Sequence, residues 1–321
     1  MQSFLAKESD RLDILLSKFL NQSRNQIQNL IKNNSVKVND KIINKSSYKV
    51  LQDDVILIDD IVEKEAKINY DVDFDVEILY EDDDILVLNK PAGLVVHGAT
   101  SVKEATLVDW LISKKYTLSN LNGDIRAGLV HRLDKGTSGA ILIAKNNASH
   151  QILSNQLLDK SMGRFYLAFI DLPLKDKIIV EKAIIRAPNN RIKKITTNNI
   201  NQNGAKYAKS AFVNLLCKND VNLISAKLFT GRTHQIRAHL ASINRHILGD
   251  SLYGYNGKDY DRVMLHAYFI YFVHPRTNER IFIKAPLNYE FDKILQKEFT
   301  LGEINEKISL EYIISVFDCF I

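Results

Sequence analysis

Between residues 76 and 273 the chain repeats short apolar runs suited to extended backbone: VEILY, DILVLNK, AILIAK, FYLAFI, IIVEKAII, SAFVNLL, NLISAKLF and AYFIYFV. Helical periodicity interrupts them at 105–113, 147–160 and 233–243. Regular alternation of strand and helix would predict parallel βαβ units, and that alternation is missing. The pattern predicts an α+β fold, a mixed and mostly antiparallel sheet with helices packed on it. A final amphipathic helix is expected over 301–321, placed to cover a sheet edge.

Residues 10–33 read differently. Leu12, Leu15, Leu16 and Phe19 mark one helical face and Ile27, Leu30 and Ile31 a second, with Ser23 as the N-cap. VKVNDKII at 36–43 alternates and is broken by Asn39-Asp40, which predicts a tight hairpin, and VILI at 55–58 a last strand. The expected division is a small α+β module over 1–60, a linker over 61–75, a larger domain over 76–300 and a helical tail over 301–321.

Charge is partitioned along the same lines. Residues 1–50 carry a net +5, residues 51–85 a net −12 and the remainder a net +12. Two basic blocks flanking one acidic stretch suit a polyanionic partner, since each phosphate contact releases counterions. A solvated lysine-rich surface would have the same composition.

Several chemistries are excluded by pattern. His234 and His239 are five apart, not the four that places a zinc pair on one helical face. No carboxylate cluster has calcium-loop spacing, and neither GxxxxGK[ST] nor GxGxxG occurs. No metal and no cofactor are therefore expected. No run approaches the roughly 18 apolar residues of a membrane span. The N-terminus lacks secretory order, and Cys217 and Cys319 form no disulfide framework. A cytoplasmic location and a monomer are the default expectations.

Polar residues concentrate in four segments. GLVHRLDKGTSGAILIAK, 128–145, sets Asp134 between Arg132 and Lys135 on a glycine-rich turn entering an apolar strand. Such a carboxylate can project rigidly into a cleft, and its basic neighbours favour the ionised form. A hairpin turn with a backbone-bonded Asp is the plain alternative. His131-Arg132 is off by one place from a kinase HRD loop. LFTGRTHQIRAHLAS, 228–242, crowds Arg232, His234, Gln235, Arg237 and His239 into the first turns of a helix, where free N–H groups favour anions. LVLNKPAGLVVHG, 86–98, contains a stiff turn after Asn89 and Lys90, and GRFYLAFI, 163–170, holds Tyr166 among apolar neighbours.

Taken in this order, NKPAGLVVH, HRLDKGTSG, the RxY strand start and TGRTHQIRAH resemble the motifs of the RluA/RluD-type pseudouridine synthases. LGDSLYG at 248–254 and LHAYFIYFVHP at 265–275 fit that family's later segments. The likeness spans about 76–295. Residues 10–60, with SRNQIQNLIKNNSVKVND, resemble the alpha-L RNA-binding motif shared with a small-subunit ribosomal protein. Gly98, Gly136 and His246 stand where the family often has Pro, Asp and Pro. Asn34 replaces the usual Gly and tolerates the same left-handed turn.

The resemblance implies isomerisation of uridine to pseudouridine in RNA, most often large-subunit ribosomal RNA or a ribosomal precursor particle. It implies Asp134 as the nucleophile, attacking the ribose or the uracil ring, with Arg237 paired to it. Tyr166 would stack on the flipped base and help remove the C5 proton. Arg132, Lys90, His97, Arg232, His234 and Gln235 would form the substrate-binding surroundings, with Lys90 and His97 shaping the cleft. Arg24, Gln28, Lys32, Lys37 and Lys41 would contact RNA from the first module. A ribosome-assembly factor on the same fold and a glycosidase are the rival readings. A glycosidase would usually need two carboxylates in a chemical motif, and only Asp134 sits in one.

Overall fold

A computed structural model describes residues 2–20, 24–32, 34–58, 70–99 and 101–317. In the first module, β1 (Gln2–Leu5) and β2 (Asp10–Arg11) lead into α1 (Leu12–Leu20) and α2 (Arg24–Lys32), followed by β3 (Val36–Val38), β4 (Lys41–Ile42), β5 (Lys49–Val50) and β6 (Val55–Ile58). Sheet order is β1-β6-β3-β4, with β2 and β5 paired separately. Leu12, Leu15 and Leu16 from α1 meet Ile27, Leu30 and Ile31 from α2 over Val36, Val38 and Ile56. The two helical faces expected from the periodicity form this core. Asn34 has φ 60°. The Asn34 amide donates to Ile31 O and that of Ser35 to Leu30 O, the two bonds of a Schellman turn. Asn39 and Asp40 both have positive φ, as a two-residue hairpin turn requires. Ser23, the expected N-cap, lies outside the described residues.

The larger sheet begins with β7 (Glu77–Glu81) and β8 (Ile85–Lys90); α3 (Leu107–Ser113), β9 (Ser138–Ala144), α4 (Asn147–Asp159) and β10 (Gly163–Ile170) follow. Next come β11 (Ile178–Glu181), β12 (Ala183–Ala187), β13 (Asn190–Thr197), β14 (Lys209–Lys218), β15 (Val221–Leu228) and α5 (Gln235–Ala241). The last elements are β16 (Leu265–Val273), β17 (Arg280–Lys284), α6 (Tyr289–Glu298), α7 (Leu301–Lys307) and α8 (Leu310–Phe317). The strands run β11-β14-β15-β10-β16-β9-β8-β7, with β17 on the far half of β16. Every described pairing is antiparallel except the short parallel contact of β16 with β9. The expected mixed, mostly antiparallel α+β architecture is therefore present.

Both sheet faces are covered. Leu86 and Leu88 of β8 enter the core shared with Trp110 and Phe291, while Ile85 and Val87 meet Leu153 of α4 on the other side. Their alternation is the period-2 consequence of a pleated strand buried on both faces. At Gly139 (φ 107°) a Cβ would come within 2.2 Å of the Ala267 carbonyl. Only glycine allows β9 and β16 to approach there.

Three expectations need correction. IIVEKAII is two strands: β11 pairs with β14, the chain turns at Lys182, and β12 pairs with β13 in a separate ribbon. The final helix is two helices, because Ser309 Oγ accepts from Tyr312 N–H and restarts the chain as a cap. Ile304, Ile313 and Phe317 of that segment are buried in the sheet's own core, and Phe317 packs on Phe165 at 5.4 Å, so it covers a face and not an edge. β13, β17 and α6 have no counterpart among the expected elements.

Candidate active site

Asp134 stands on the loop that enters β9, and that loop is fixed from several sides. His131 Nε2 accepts the Leu142 N–H of β9 at 3.1 Å. Lys90, fully buried, donates its Nζ to the carbonyls of Pro91, Leu94 and Lys135 at 2.8, 2.9 and 3.3 Å. The stiff turn after β8 is thereby tied to the residue next to Asp134. Burial draws the Lys90 ammonium down to about 7, against the opposing pull of Asp134. Ser138, at the start of β9, contacts His266 Nδ1 at 2.9 Å and accepts from Asn288 at 3.1 Å.

The Asp134 carboxylate, about one-fifth exposed, faces a slot of about 40 Å³ lined also by Arg132, Thr137, Arg164, Tyr166, His234 and Arg237. Tyr166 comes from β10, and burial raises its phenol pKa. Arg237 Nη1 is 3.7 Å from Asp134 Oδ2, whereas its Nε and Nη2 donate to Asp250 at 2.7 and 2.8 Å. The expected pair with Asp134 is therefore the looser of two contacts. Asp250, 1% exposed, holds the guanidinium in bidentate geometry and leaves one edge for Asp134. Burial opposes the Arg237 charge, but the Asp250 bonds and charge outweigh it and raise its pKa. Tyr253 lies 4.8 Å beneath the same guanidinium.

His234 caps α5 in a left-handed conformation, φ 58°. Its Nδ1 meets Tyr253 OH at 3.0 Å, and its Nε2 is 4.0 Å from Asp134 Oδ2. Tyr253 OH already accepts from Lys194 N–H at 2.9 Å. In the tautomer where the phenol donates to Nδ1, the Nε2–H faces Asp134. Burial lowers the His234 pKa despite the pull of Asp134, and burial pushes Tyr253 up to about 12.

The other expected site residues divide. Arg132 reaches across the slot to Thr233 Oγ1. Arg232 donates Nε to the Tyr207 carbonyl at 3.0 Å beside a wider cleft that His97 also lines. Lys90, expected among the substrate-binding surroundings as a residue shaping the cleft, directs its three donors to carbonyls as an internal anchor. Gln235 is corrected from substrate contact to an internal role: its amide bonds Thr230, Arg232 N, Lys209 O and Ser210. His239 is buried between Ser210 and the Lys182 carbonyl.

In the first module, Lys32 and Lys41 are exposed and Lys37 is partly so. The Gln28 amide reaches buried Asp13 at 3.5 Å, an inward contact where an RNA contact was expected. The Arg24 side chain lies outside the described residues. Sequence reasoning missed Asp250, Tyr253 and Arg164. The first two sit in LGDSLYG and the third opens the RxY strand, so only their motif context could have flagged them. Away from the slot, Asp82, Asp84 and His274 bring ligand-type atoms within 4.8 Å. Those atoms serve Ile85 N–H, Tyr80, Asn146 and Arg276, which clamp the β7–β8 turn.

The slot thus gathers a carboxylate, a guanidinium and a buried tyrosine on the strand-rich domain that follows the helix-hairpin module in the chain. Residues 84–242 match the RNA pseudouridylate synthase family and residues 10–56 match the S4 domain. An uncharacterized RNA pseudouridine synthase of Helicobacter pylori is 49% identical over 96% of this chain and 95% of its own length. One from Bacillus subtilis is 37% identical over 90% and 94%. The ribosomal large subunit pseudouridine synthase D of Zymomonas mobilis is 32% identical over 86% and 90%. The chain belongs to the RNA pseudouridine synthase family. Human RNA pseudouridylate synthase domain containing 1 shares its fold, with a TM-score of 0.55 and 21% identity over 72% of this chain and 94% of that one.

Proposed function

We propose that this enzyme converts specific uridines of large-subunit ribosomal RNA, free or in a precursor particle, to pseudouridine, with Asp134 as nucleophile. The single observation that carries the assignment is that Asp134 is the one carboxylate lining the slot among the described residues, with Tyr166 and Arg237 beside it. The printed name of the Zymomonas relative supports the RNA class.

In the reaction the uridine is flipped from its stack at a cost of a few kcal/mol. Asp134 attacks the ribose anomeric carbon or the uracil ring, and the C1′–N1 bond breaks. The base turns, C5 bonds to C1′ and the bond to Asp134 breaks; the C5 proton passes to solvent and N1 takes one up, so the mass is unchanged. Arg237, clamped by Asp250, orients the carboxylate and offsets its charge. Tyr166 forms the wall on which uracil stacks. Burial keeps its phenol protonated, which favours stacking over the base role expected for it. Arg132, bonded to Thr233 across the slot, is placed to move aside as the base enters.

Residues 1–60 serve as the RNA-binding module and 76–300 as the catalytic domain, joined through 61–75 and backed by 301–321. The S4 match and a separate apolar core support the first assignment. Exposed Lys32 and Lys41 supply phosphate contacts, and linking two RNA sites raises affinity through effective concentration. The enzyme acts as a cytoplasmic monomer; among the described residues no helix is long and apolar enough to cross a membrane.

Tritium release from C5-labelled uridine in large-subunit ribosomal RNA tests the proposal. Wild type should release the label, and Asp134→Ala should slow release by at least about 10⁴-fold. Equal release by both would remove Asp134 from the mechanism. Free uracil as product would instead identify a glycosidase.

A further inference from the structure

We propose that the wide cleft beside Asp134 is a second nucleotide subsite: it holds the nucleotide adjoining the target uridine, and Arg164 grips the phosphodiester between the two. The proposal rests on the reading of the slot as the uridine site. The cleft encloses about 530 Å³, within the roughly 300–1,000 Å³ of small-ligand sites. Arg126, Arg132, Lys160, Arg164 and Arg232 line it, and among the described residues no Asp or Glu does.

Arg164 is the group that demands a ligand. It lies on β10 two residues before Tyr166, and both side chains line the slot. It lines the slot and the cleft together and therefore marks their junction. The residue is only 8% exposed, and its Nε is buried without a hydrogen-bond partner. No carboxylate pairs with it among the described residues. A buried guanidinium in that state is costly unless an anion completes it. His131, whose Nδ1 is likewise buried and unpartnered, also lines the cleft.

Gly231 lines both spaces as well, and a Cβ there would sit 3.3 Å from both terminal nitrogens of Arg164. The absent side chain lets the guanidinium end reach the junction, where a phosphate accepts its planar fork. Four of the lining residues add apolar or aromatic surface. They are Leu157 and Leu158, near the end of α4, with Phe229 and Tyr207. Leu158 is 79% exposed, an apolar surface left in water among cations. Such a surface suits an unstacked base, the form in which single-stranded RNA is usually held.

Competition against labelled heptauridylate on the full-length protein tests this, using UpU and its analogue with a neutral methylphosphonate linkage. Wild type should bind UpU about tenfold more tightly than the analogue, the worth of one charge-assisted contact. Arg164→Met should bind the two alike. Leu158→Glu should weaken UpU about fivefold through lost stacking and added repulsion. An undiminished preference for UpU in Arg164→Met would overturn the proposal, as would a wild type that fails to distinguish the linkages or to bind UpU. If Arg164→Met does not fold, Arg164→Lys decides: a reduced preference supports the fork contact and an unchanged one overturns it. Failure of the slot reading appears elsewhere, as C5 tritium release unaffected by Asp134→Ala.

Discussion

The slot around Asp134 and the cleft beside it share a boundary yet are built on opposite principles. Around Asp134 itself the ionic groups have company: Asp134 faces Arg237 and His234, Arg237 is held by Asp250, and His234 is held by Tyr253, while Arg164 stands at the shared boundary. The cleft gathers five cations without a carboxylate, one of them buried and unpaired. Chemistry at a single carbon needs groups fixed before substrate arrives, because small misplacements cost rate. A polyanion brings its own countercharge, so the surface that holds it can leave cations waiting. Substitutions in the slot should therefore damage turnover, and those in the cleft should damage binding.

The sharpest way to break that contrast, after Asp134→Ala, is Asp250→Asn. Asp250 does not itself line the slot, yet it accepts two hydrogen bonds from Arg237, which does. Weakening a buried charge pair from one side costs roughly 2–5 kcal/mol, visible as a lowered Tm. Turnover should fall about 100-fold through misplacement of Arg237, with heptauridylate affinity changed far less. A variant that loses affinity and keeps its single-turnover rate would show that the slot's internal pairs serve binding instead.

How much of this was legible beforehand varies by residue. The strands of the larger domain could be read because β8, β9 and β10 are buried on both faces, leaving runs such as ILVL and FYLAFI with no competing pattern. β13 and β17 were invisible: NRIKKITT and RIFIK are mixed, half-exposed strands whose pairing comes from tertiary neighbours. Asp134, Tyr166 and Arg237 were found through motifs, and the fold brings them to one slot. Their roles in a network were not readable. Nothing local says that Arg237 prefers Asp250, thirteen residues on, or that Gln235 spends its amide on Lys209 and Ser210. Those partners exist only after β14, β15 and α5 have packed.

Lys90 sharpens the comparison from the slot's supporting shell. Its folded pKa of about 7 lies below the ordinary lysine value near 10.4. The unfolded chain therefore binds the extra proton between those limits. Stability from this residue is present at high pH and is lost as pH falls through about 7. Relative to Lys90→Met, wild type should gain about 1 kcal/mol per pH unit between about pH 8 and 10, read from denaturant unfolding of both proteins. A constant difference across that range would mean that the three carbonyls keep the ammonium charged and that burial does not govern it.

Gly231→Ala should have the smallest effect and isolates the boundary itself. Its backbone is not in the left-handed region, so alanine introduces no backbone strain. The new Cβ at 3.3 Å from the Arg164 nitrogens forces the guanidinium to yield by a few tenths of an ångström. A charge-assisted bond stretched that far weakens without breaking. Heptauridylate affinity should drop about two- to fivefold, a fraction of the roughly tenfold value of such a contact. The UpU preference over its methylphosphonate analogue should shrink in step. If affinity falls while that preference stays whole, the alanine acts on the cleft wall and not through Arg164, and the division between slot and cleft would have to be drawn on the other side of Gly231.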